Sequence, residues 1–251
     1  MSISSRTTAI VIPAYNEAAT IRDLVNRCLA QQDMVIVVDD GSTDDTVAQL
    51  KGLNVSVIEN SQNFGKATSL WKGMQYALSQ RAQQIITLDG DGQHAPEDIP
   101  RLIDAARQHP VSLIIAARLK NTENAPKSRL RANKIADFWI SWAAGQKIND
   151  SQSGYRLYPA ELLSNPRLNV STKHGFVFES EIIIEAVRRG YPCYTVAIDS
   201  VYLQHARESH FNPVADITRI VLMVAWKLIS RGMFLNGLWR SMRTDESRQS
   251  I

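Results

Sequence analysis

Short runs of β-branched residues alternate with helically spaced apolar residues along the first half of the chain. These runs predict strands at 8–12, 34–38, 55–58, 84–88 and 112–116. Apolar residues at three- and four-residue spacing predict helices at 17–28, 67–78 and 97–106, and a shorter one capped by Thr43 or Asp44. Strands separated by helices of this length favour right-handed parallel crossovers. The predicted fold is therefore α/β, with a mostly parallel twisted sheet flanked by helices.

The second half of the chain has a less regular pattern. It predicts helices at 129–144 and 179–188, a strand at 195–201, a turn-rich stretch at 149–154 and a polar loop at 204–212. No repeat or linker divides the chain. We therefore expect one α/β domain at 1–215, followed by a helical C-terminal segment at 216–251.

Polar side chains fall just past the carboxyl ends of three predicted strands. They are Pro13, Tyr15 and Glu17, then Asp39 and Asp40, then Asp89 and Asp91. In open α/β sheets this edge is where ligands bind, so the three groups are expected to converge on one rim. Oxygen ligands on a turn suit Mg²⁺ or Mn²⁺, which often bridge to substrate phosphates.

Each of these groups also has a purely structural interpretation. An isolated Asp-x-Asp is most often a solvated surface turn, and Asp40 stands in a sequence that is typical of a turn and a helix cap. The structural interpretation of Asp89 and Asp91 is weakened here because the other acidic groups end on the same rim. Lys66 does not belong to a P-loop, and we expect it to be a rim residue of the sheet.

Composition narrows the function classes. The 28 basic and 25 acidic residues give a net charge of +3, which is too balanced for a surface that binds nucleic acid throughout. The two cysteines form no Cys-x-x-Cys pair and are expected to be reduced core thiols of a cytoplasmic protein. The start of the sequence does not resemble a signal peptide, and no window has the length of a spanning helix. The histidine spacings do not suggest a zinc site.

Three motifs in order make the sequence resemble a known family. They are VIPAYNE at 11–17, VVDDGSTD at 37–44 and LDGDGQH at 88–94, and together they are similar to the inverting family 2 glycosyltransferases of GT-A fold. Further on, DSQSGYR at 150–156 and GFVFESE at 175–181 resemble segments of the polyprenyl-phosphate sugar transferases.

The resemblance implies a role for each matching residue. Asp91 with Gln93 would hold Mg²⁺ or Mn²⁺ against the diphosphate of a nucleotide-sugar donor, and Arg118 would face that donor. Asp89 and Gly90 would contact ribose or sugar. The nucleoside pocket would be lined by Pro13, Tyr15, Glu17, Val38 and Asp40. Arg207 stands where the family places a basic residue in a loop, but its neighbours depart from the family pattern, which leaves the acceptor open.

The acceptor decides whether the reaction needs a base. A metal ion and an arginine would stabilise the charge of the departing nucleoside diphosphate. A polyprenyl phosphate or similar lipid-linked acceptor is already anionic, whereas a hydroxyl-bearing acceptor needs a nearby carboxylate. Asp150 and Glu181 are the candidate bases, and each could equally be a structural cap or ion pair.

The segment 216–242 is apolar but interspersed with cations. It is either a core-packing helix or an interfacial helix on the inner face of the cytoplasmic membrane, with Trp226 and Trp239 at the boundary. We expect the second arrangement, with an amphiphilic acceptor held near Arg207 and this segment. Two other functions are weaker. A sugar-1-phosphate nucleotidyltransferase would need a Gly-rich basic loop after the first strand, and a non-catalytic nucleotide-sugar-binding module would not need Asp91. The nucleobase, the sugar and the oligomeric state stay open.

Overall fold

The structure is a computed structural model that describes residues 6–120, 127–165, 175–199, 213–230 and 232–242. Its centre is a seven-stranded sheet with the order β3-β2-β1-β4-β6-β5-β7. The strands are β1 Thr8–Ala14, β2 Met34–Asp39, β3 Ser56–Glu59, β4 Gln84–Thr87, β5 Leu113–Lys120, β6 Arg156–Pro159 and β7 Cys193–Asp199. The predicted mostly parallel sheet is confirmed, because only β6 pairs in antiparallel fashion, with β4 and β5.

Strand β6 was not predicted. It has four residues, it ends in proline, and all four residues are buried between β4 and β5. A run this short shows no alternation between its faces, and the turn-rich stretch before it conceals its start. The strand matters for the site because it places the preceding turn, 149–154, beside the ends of β4 and β5.

Helices cover both faces of the sheet. Their bounds are α1 Ile21–Leu29, α2 Thr46–Gln49, α3 Lys66–Ser79, α4 Ile99–Gln108, α5 Lys127–Ala144, α6 Ala160–Leu163, α7 Gly175–Arg188, α8 Pro213–Ile229 and α9 Leu235–Met242. Short 3₁₀ turns precede α4 and α9. Alternate side chains of each strand point to opposite faces, so the sheet separates two apolar clusters. One cluster lies under α3, α5, α7 and α8, and the other lies under α1 and α4.

The C-terminal helices pack on the domain through α5. Helices α8 and α9 both contact α5, and α8 also contacts α7. The expected boundary at 216 falls inside α8. Within the described residues, no single helix is both long and apolar enough to cross a bilayer, although the pair Thr218–Ile229 and Gly232–Met242, bent by 111°, meets the length and composition criteria together.

Candidate functional site

The loops that follow β1 and β2 are joined by short hydrogen bonds at the rim. The backbone N–H of Asn16 donates to Ser42 Oγ at 2.8 Å, and the Asn16 Oδ1 atom accepts from the Thr43 N–H at 2.7 Å. The Glu17 N–H donates to Thr46 Oγ1 at 2.8 Å. The first two motifs therefore form one continuous rim, as the strand-end pattern predicted.

The loop after β4 joins the same rim through Gly90. Thr20 Oγ1 donates to the Gly90 carbonyl at 2.8 Å, and a Cβ atom at Gly90 would lie 3.1 Å from the Pro13 carbonyl oxygen. Only a glycine allows this close approach without displacement. Tyr15 and Glu17 are half-buried at this junction. Their position suits the predicted pocket, and their contact with a ligand stays a prediction.

The carboxylate of Asp40 accepts four hydrogen bonds from within the protein. Its side chain is 3% exposed, and its oxygens accept hydrogen bonds from Asn60 Nδ2, Ser69 Oγ and the backbone N–H groups of Phe64 and Gly65, at 2.8–3.0 Å. Asp40 therefore fixes the loop that leads into α3. Among the described residues its Oδ2 atom accepts only from the Gly65 N–H, and its contact with the nucleoside stays a prediction.

Val38 and Asp39 precede Asp40 in the same motif. The Val38 side chain is completely buried in the core, and its place in the nucleoside pocket stays a prediction. Asp39 accepts from the N–H groups of Gly41 and Ser42 through Oδ2, while its buried Oδ1 has no hydrogen-bond partner among the described residues. A buried acceptor without a partner is unfavourable unless a ligand satisfies it. Asp39 is thus a stronger pocket candidate than Asp40.

A charged cluster lies at the end of β4. Lys66 Nζ is 2.7 Å from Asp89 Oδ1 and 3.2 Å from Glu179 Oε2. Burial by itself would raise the pKa of Asp89, but Lys66, with smaller contributions from His94 and Arg118, lowers that pKa to about 2. A Cβ atom at Gly154 would lie 3.0 Å from both Asp89 Oδ1 and Glu179 Oε1. The cluster therefore joins α3, β4, α7 and the turn before β6.

Asp91 lies beside this cluster, and its pKa is shifted in the opposite direction from that of Asp89. Its Oδ1 atom accepts from the Gln93 backbone N–H at 3.0 Å. Burial raises the pKa of Asp91, and the nearby Asp89 charge raises it further. A divalent cation would stabilise the ionised form of Asp91. The oxygen atoms of Asp89, Asp91 and Gln93 are ligands of the type that Mg²⁺ and Mn²⁺ prefer. Among the residues that the structure describes, no three His, Cys, Asp or Glu side chains are grouped as a metal site.

His94 contacts the same loop from its buried side. It is buried, its Nδ1 accepts the Asp89 backbone N–H at 3.2 Å, and its ring packs on Tyr155 with 5.1 Å between centroids. Burial lowers the pKa of His94. A neutral imidazole that accepts at Nδ1 fixes the backbone of Asp89 and is not a metal ligand through that atom.

Arg118 is clamped by Asp150. The guanidinium donates to Asp150 through Nε at 2.8 Å and through Nη2 at 2.7 Å, and the Arg118 backbone N–H donates to Asp150 Oδ2 at 2.8 Å. Burial alone would raise the pKa of Asp150, but Arg118 outweighs it and the pKa is lowered. A carboxylate in this state is a poor general base, and the role of Asp150 as a base stays a prediction.

Glu181 does not belong to the charged cluster at Asp89. Its Oε1 atom forms a 2.9 Å ion pair with Lys227 of α8. Two residues span about 200° of a helix, so Glu179 and Glu181 leave α7 in opposite directions. Glu179, which the sequence analysis did not single out, is the α7 carboxylate that lies in the cluster with Lys66 and Asp89.

A buried arginine supports the turn at 149–154 and α7 together. Arg156 is fully buried and donates to the carbonyls of Ser151, Ser153 and Glu179 at 2.6–2.8 Å. The motif at 150–156 contained Arg156, but nothing in its spacing identified what the side chain would contact. Arg207 and the predicted loop at 204–212 lie outside the described residues.

The comparisons with known proteins agree with this geometry. The model of the family described as Glycosyl transferase family 2 matches residues 9–165, which is more than half of the chain. A polyprenol monophosphomannose synthase of Mycolicibacterium smegmatis is 30% identical over 76% of this chain and 76% of its own length. A UDP-N-acetylglucosamine–dolichyl-phosphate N-acetylglucosaminyltransferase of Methanococcus voltae is 27% identical over 90% of this chain and 94% of its own.

Solved structures support the fold. Glucosyl-3-phosphoglycerate synthase from Mycobacterium tuberculosis, in complex with phosphoglyceric acid, has a TM-score of 0.66 at 21% identity and covers 90% of this chain and 80% of its own. The same enzyme in complex with Mn²⁺, uridine diphosphate and phosphoglyceric acid has a TM-score of 0.64, with 90% of this chain and 78% of its own covered. At this identity the likeness concerns the fold, which is the expected GT-A arrangement.

Proposed function

Because the chain belongs to glycosyl transferase family 2 and is a glycosyltransferase, we propose that it transfers a sugar from a nucleotide-sugar donor to a polyprenyl phosphate or similar lipid phosphate. The observation that carries the proposal is the charged rim, in which Lys66 contacts Asp89 at 2.7 Å, Arg118 helps to lower the pKa of Asp89, and Asp91 follows in the same loop. Carboxylates that hold a metal and cations that face phosphates are the two components that diphosphate departure requires.

The donor would lie along the joined strand-end loops. Tyr15 and Glu17 would border this pocket, Pro13 and Gly90 would form its floor, and the unpartnered Asp39 Oδ1 would accept from a ring N–H or ribose hydroxyl. Asp91, with Asp89 and Gln93, would hold Mg²⁺ or Mn²⁺, which when bound neutralises charge on the diphosphate. Lys66 can exchange its partners Asp89 and Glu179 for donor oxygens.

The geometry of the carboxylates favours an anionic acceptor. Asp150 is held by Arg118 and Glu181 is paired with Lys227, so neither is placed to accept a proton from an acceptor hydroxyl. A lipid phosphate needs no such base. The names of the two curated relatives refer to polyprenol and dolichyl-phosphate acceptors, which supports the same class. The second candidate is a hydroxyl acceptor, favoured only by Glu179, which lies 3.2 Å from Lys66 beside the donor site.

One assay separates these candidates. The purified protein is incubated with Mn²⁺, a panel of UDP- and GDP-sugars, and either a polyprenyl phosphate or the matching polyprenol, and the released nucleoside diphosphate is measured. We expect release only with the phosphate and a retained activity of Glu179→Gln above a tenth of wild type. If wild type transfers sugar to the polyprenol and Glu179→Gln abolishes that transfer, the acceptor is a hydroxyl group and not a lipid phosphate.

The C-terminal helices support action at a membrane surface. Leu222, Trp226 and Ile229 form one stripe on α8, Leu235, Trp239 and Met242 form another on α9, and all six are 61–72% exposed. Both stripes have the i, i+4, i+7 spacing of a helix face. Exposed cations accompany them, at Arg219 and Arg240, and at Arg131 and Lys134 on the neighbouring α5. Apolar stripes bordered by cations fit the interface of an anionic bilayer, so we propose peripheral attachment at the inner face of the cytoplasmic membrane.

Vesicle flotation tests this attachment. The wild-type protein is expected to float with vesicles of phosphatidylglycerol and phosphatidylcholine and to remain behind with phosphatidylcholine alone. The double substitution Trp226→Ser and Trp239→Ser should abolish flotation. The matched control is Val111→Ser, which replaces an exposed apolar residue that lies outside both stripes. A wild-type protein that does not float, or a control that loses as much binding as the double variant, would disprove the attachment.

A further inference from the structure

The turn that carries Asp150 has a backbone conformation that needs support. Asp150 has φ +49°, in the left-handed region that non-glycine residues seldom occupy. Its N–H donates to Asp137 Oδ2 at 3.1 Å, and the following Ser151 N–H donates to Asp137 Oδ1 at 2.8 Å. A single carboxylate on α5 therefore holds two successive N–H groups of the turn.

The same turn presents Asp150 to Arg118. Three hydrogen bonds join these two residues, including both arms of a bidentate carboxylate–guanidinium contact. Arg118 in turn helps to lower the pKa of Asp89, so its charge acts within the candidate site. A chain of direct contacts thus runs from α5, through the turn, to the rim.

We propose that Asp137 is a positioning residue for Arg118, acting through the turn at Asp150. The inference rests on the proposed function to the extent that Arg118 faces the donor diphosphate. Asp137 itself touches no reacting group. Its carboxylate fixes the orientation of Asp150, and Asp150 fixes the guanidinium plane against which the phosphate oxygens are bound.

The chemistry of Asp137 fits this role. Burial, together with the Asp150 charge, raises the pKa of Asp137 to about 6, so the ionised side chain is unfavourable where it stands. A turn alone could be held by a neutral acceptor such as serine or asparagine. A carboxylate supplies two acceptor oxygens at once, which is what holding two successive N–H groups requires.

The experiment compares wild type with Asp137→Ala, Asp137→Asn and the matched control Ser141→Ala. Ser141 lies one turn later on α5 and accepts the Ile148 N–H at 2.9 Å, so its loss removes an equivalent helix-to-loop bond that does not reach Asp150. The dissociation constants of UDP and GDP with Mn²⁺ are measured by calorimetry. The Arg118 Nε–H resonance is followed by NMR, assigned through its loss in Arg118→Lys, and thermal melting verifies folding.

We expect Asp137→Ala to weaken diphosphate binding about 10-fold, as the loss of a charge-assisted contact predicts, and to broaden the Arg118 resonance. Asp137→Asn keeps one acceptor oxygen and should lose less. Ser141→Ala should leave both readouts unchanged. An unchanged resonance and affinity in Asp137→Ala, or equal losses in Ser141→Ala, would overturn the inference. If wild type binds neither nucleotide, the proposed function fails, while the resonance still decides whether Asp137 positions Arg118.

Discussion

The loops after β1, β2 and β4 are held together by hydrogen bonds across the rim, whereas the cations of the site are held by ion pairs with α7 and with the turn before β6. Gly90 accepts a hydrogen bond from Thr20 and lies close to the Pro13 carbonyl. By contrast, Lys66 reaches Glu179 of α7, and Arg118 reaches the turn before β6. The first region, the joined loops, sets the shape of the pocket, and the second, the ion-paired cations, sets its charge.

The two regions respond differently to substitution. Removing a typical neutral hydrogen bond from a loop lowers the free energy of unfolding by about 0.5–1.5 kcal/mol. The loss is larger where a buried partner is left unpaired. A broken buried ion pair leaves an uncompensated charge, which is more costly. Substitutions in the ion-paired region should therefore change both stability and chemistry, while those in the joined loops should separate the two.

The largest expected effect lies in the loop after β4. Asp91→Asn should lower turnover by about 10³-fold, at the upper end of what loss of one electrostatic contact to a departing group produces. Its stability should not fall, because burial and the Asp89 charge raise the pKa of Asp91 and make the ionised form unfavourable. Released nucleoside diphosphate and thermal melting measure the two effects.

Asp104→Asn is the control for Asp91→Asn, since Asp104 is an exposed helical residue paired with Arg107. It should leave turnover at the wild-type level. Should Asp91→Asn retain most of its turnover in the presence of EDTA, the metal assignment would be wrong. Should it unfold, the separation of chemistry from stability in the joined loops would not hold.

The next effect lies in the ion-paired region. Asp150→Asn should lower kcat/KM about 10- to 100-fold, because the guanidinium of Arg118 loses its charged partner and its fixed plane. It should also destabilise the fold, since the buried pair is broken. Steady-state kinetics and urea unfolding together measure the response. A loss of stability with unchanged kinetics would show that Arg118 does not act on the donor.

This contrast also explains what could be predicted from the sequence. The parallel strands, the polar residues just past their carboxyl ends and the position of Asp89 and Asp91 at the rim follow from local periodicity, and these features were predicted correctly. The roles of Glu179, Lys66 and Asp137 depend on contacts between residues far apart in sequence, such as the 3.2 Å contact of Lys66 with Glu179. No local pattern specifies these contacts, and the short strand β6 that arranges them was itself missed.

Acidic residues that are close together in sequence present a related difficulty. Asp39 and Asp40 are adjacent, so sequence alone could not decide which faces the pocket and which faces the loop before α3. Successive residues of a strand point to opposite sides, and one residue of register reverses the assignment. The same applies to Glu179 and Glu181 on α7, where two positions of a helix separate the donor cluster from the Lys227 ion pair.

Asp40 tests whether the joined loops are held as described. Asp40→Ala should destabilise the protein by about 2–3 kcal/mol, because it leaves buried donors of Asn60 and the loop before α3 without an acceptor. Asp45→Ala is the control, since Asp45 is exposed and its side chain makes no cap hydrogen bond to α2. Urea unfolding gives both values. A variant that keeps full stability but loses nucleotide affinity would return Asp40 to the pocket.

A pH dependence is expected at the junction of the two regions. The pKa of Asp137 is raised by burial to about 6 in the folded protein, above its ordinary value of 3.8. The folded state thus holds the proton more tightly than the unfolded chain, so Asp137 contributes stability at low pH that is lost as pH rises from about 4 through 6. The loss is at most about 1.4 kcal/mol for each pH unit crossed between those two values.

Asp137→Asn cannot titrate, so it lacks this dependence. Relative to wild type, the variant should therefore become more stable as pH rises from 4.5 to 7.5, even though it loses one hydrogen bond to the turn. Urea unfolding at four pH values gives the difference between the two free energies of unfolding, and Ser141→Ala, which keeps Asp137, should follow wild type throughout. A difference that stays constant with pH would mean that Asp137 is not protonated in this range. Asp137 would then be ionised beside Asp150 at every pH tested. The positive charges of Arg118 and the buried Arg156, rather than a proton on Asp137, would stabilise the ion-paired region.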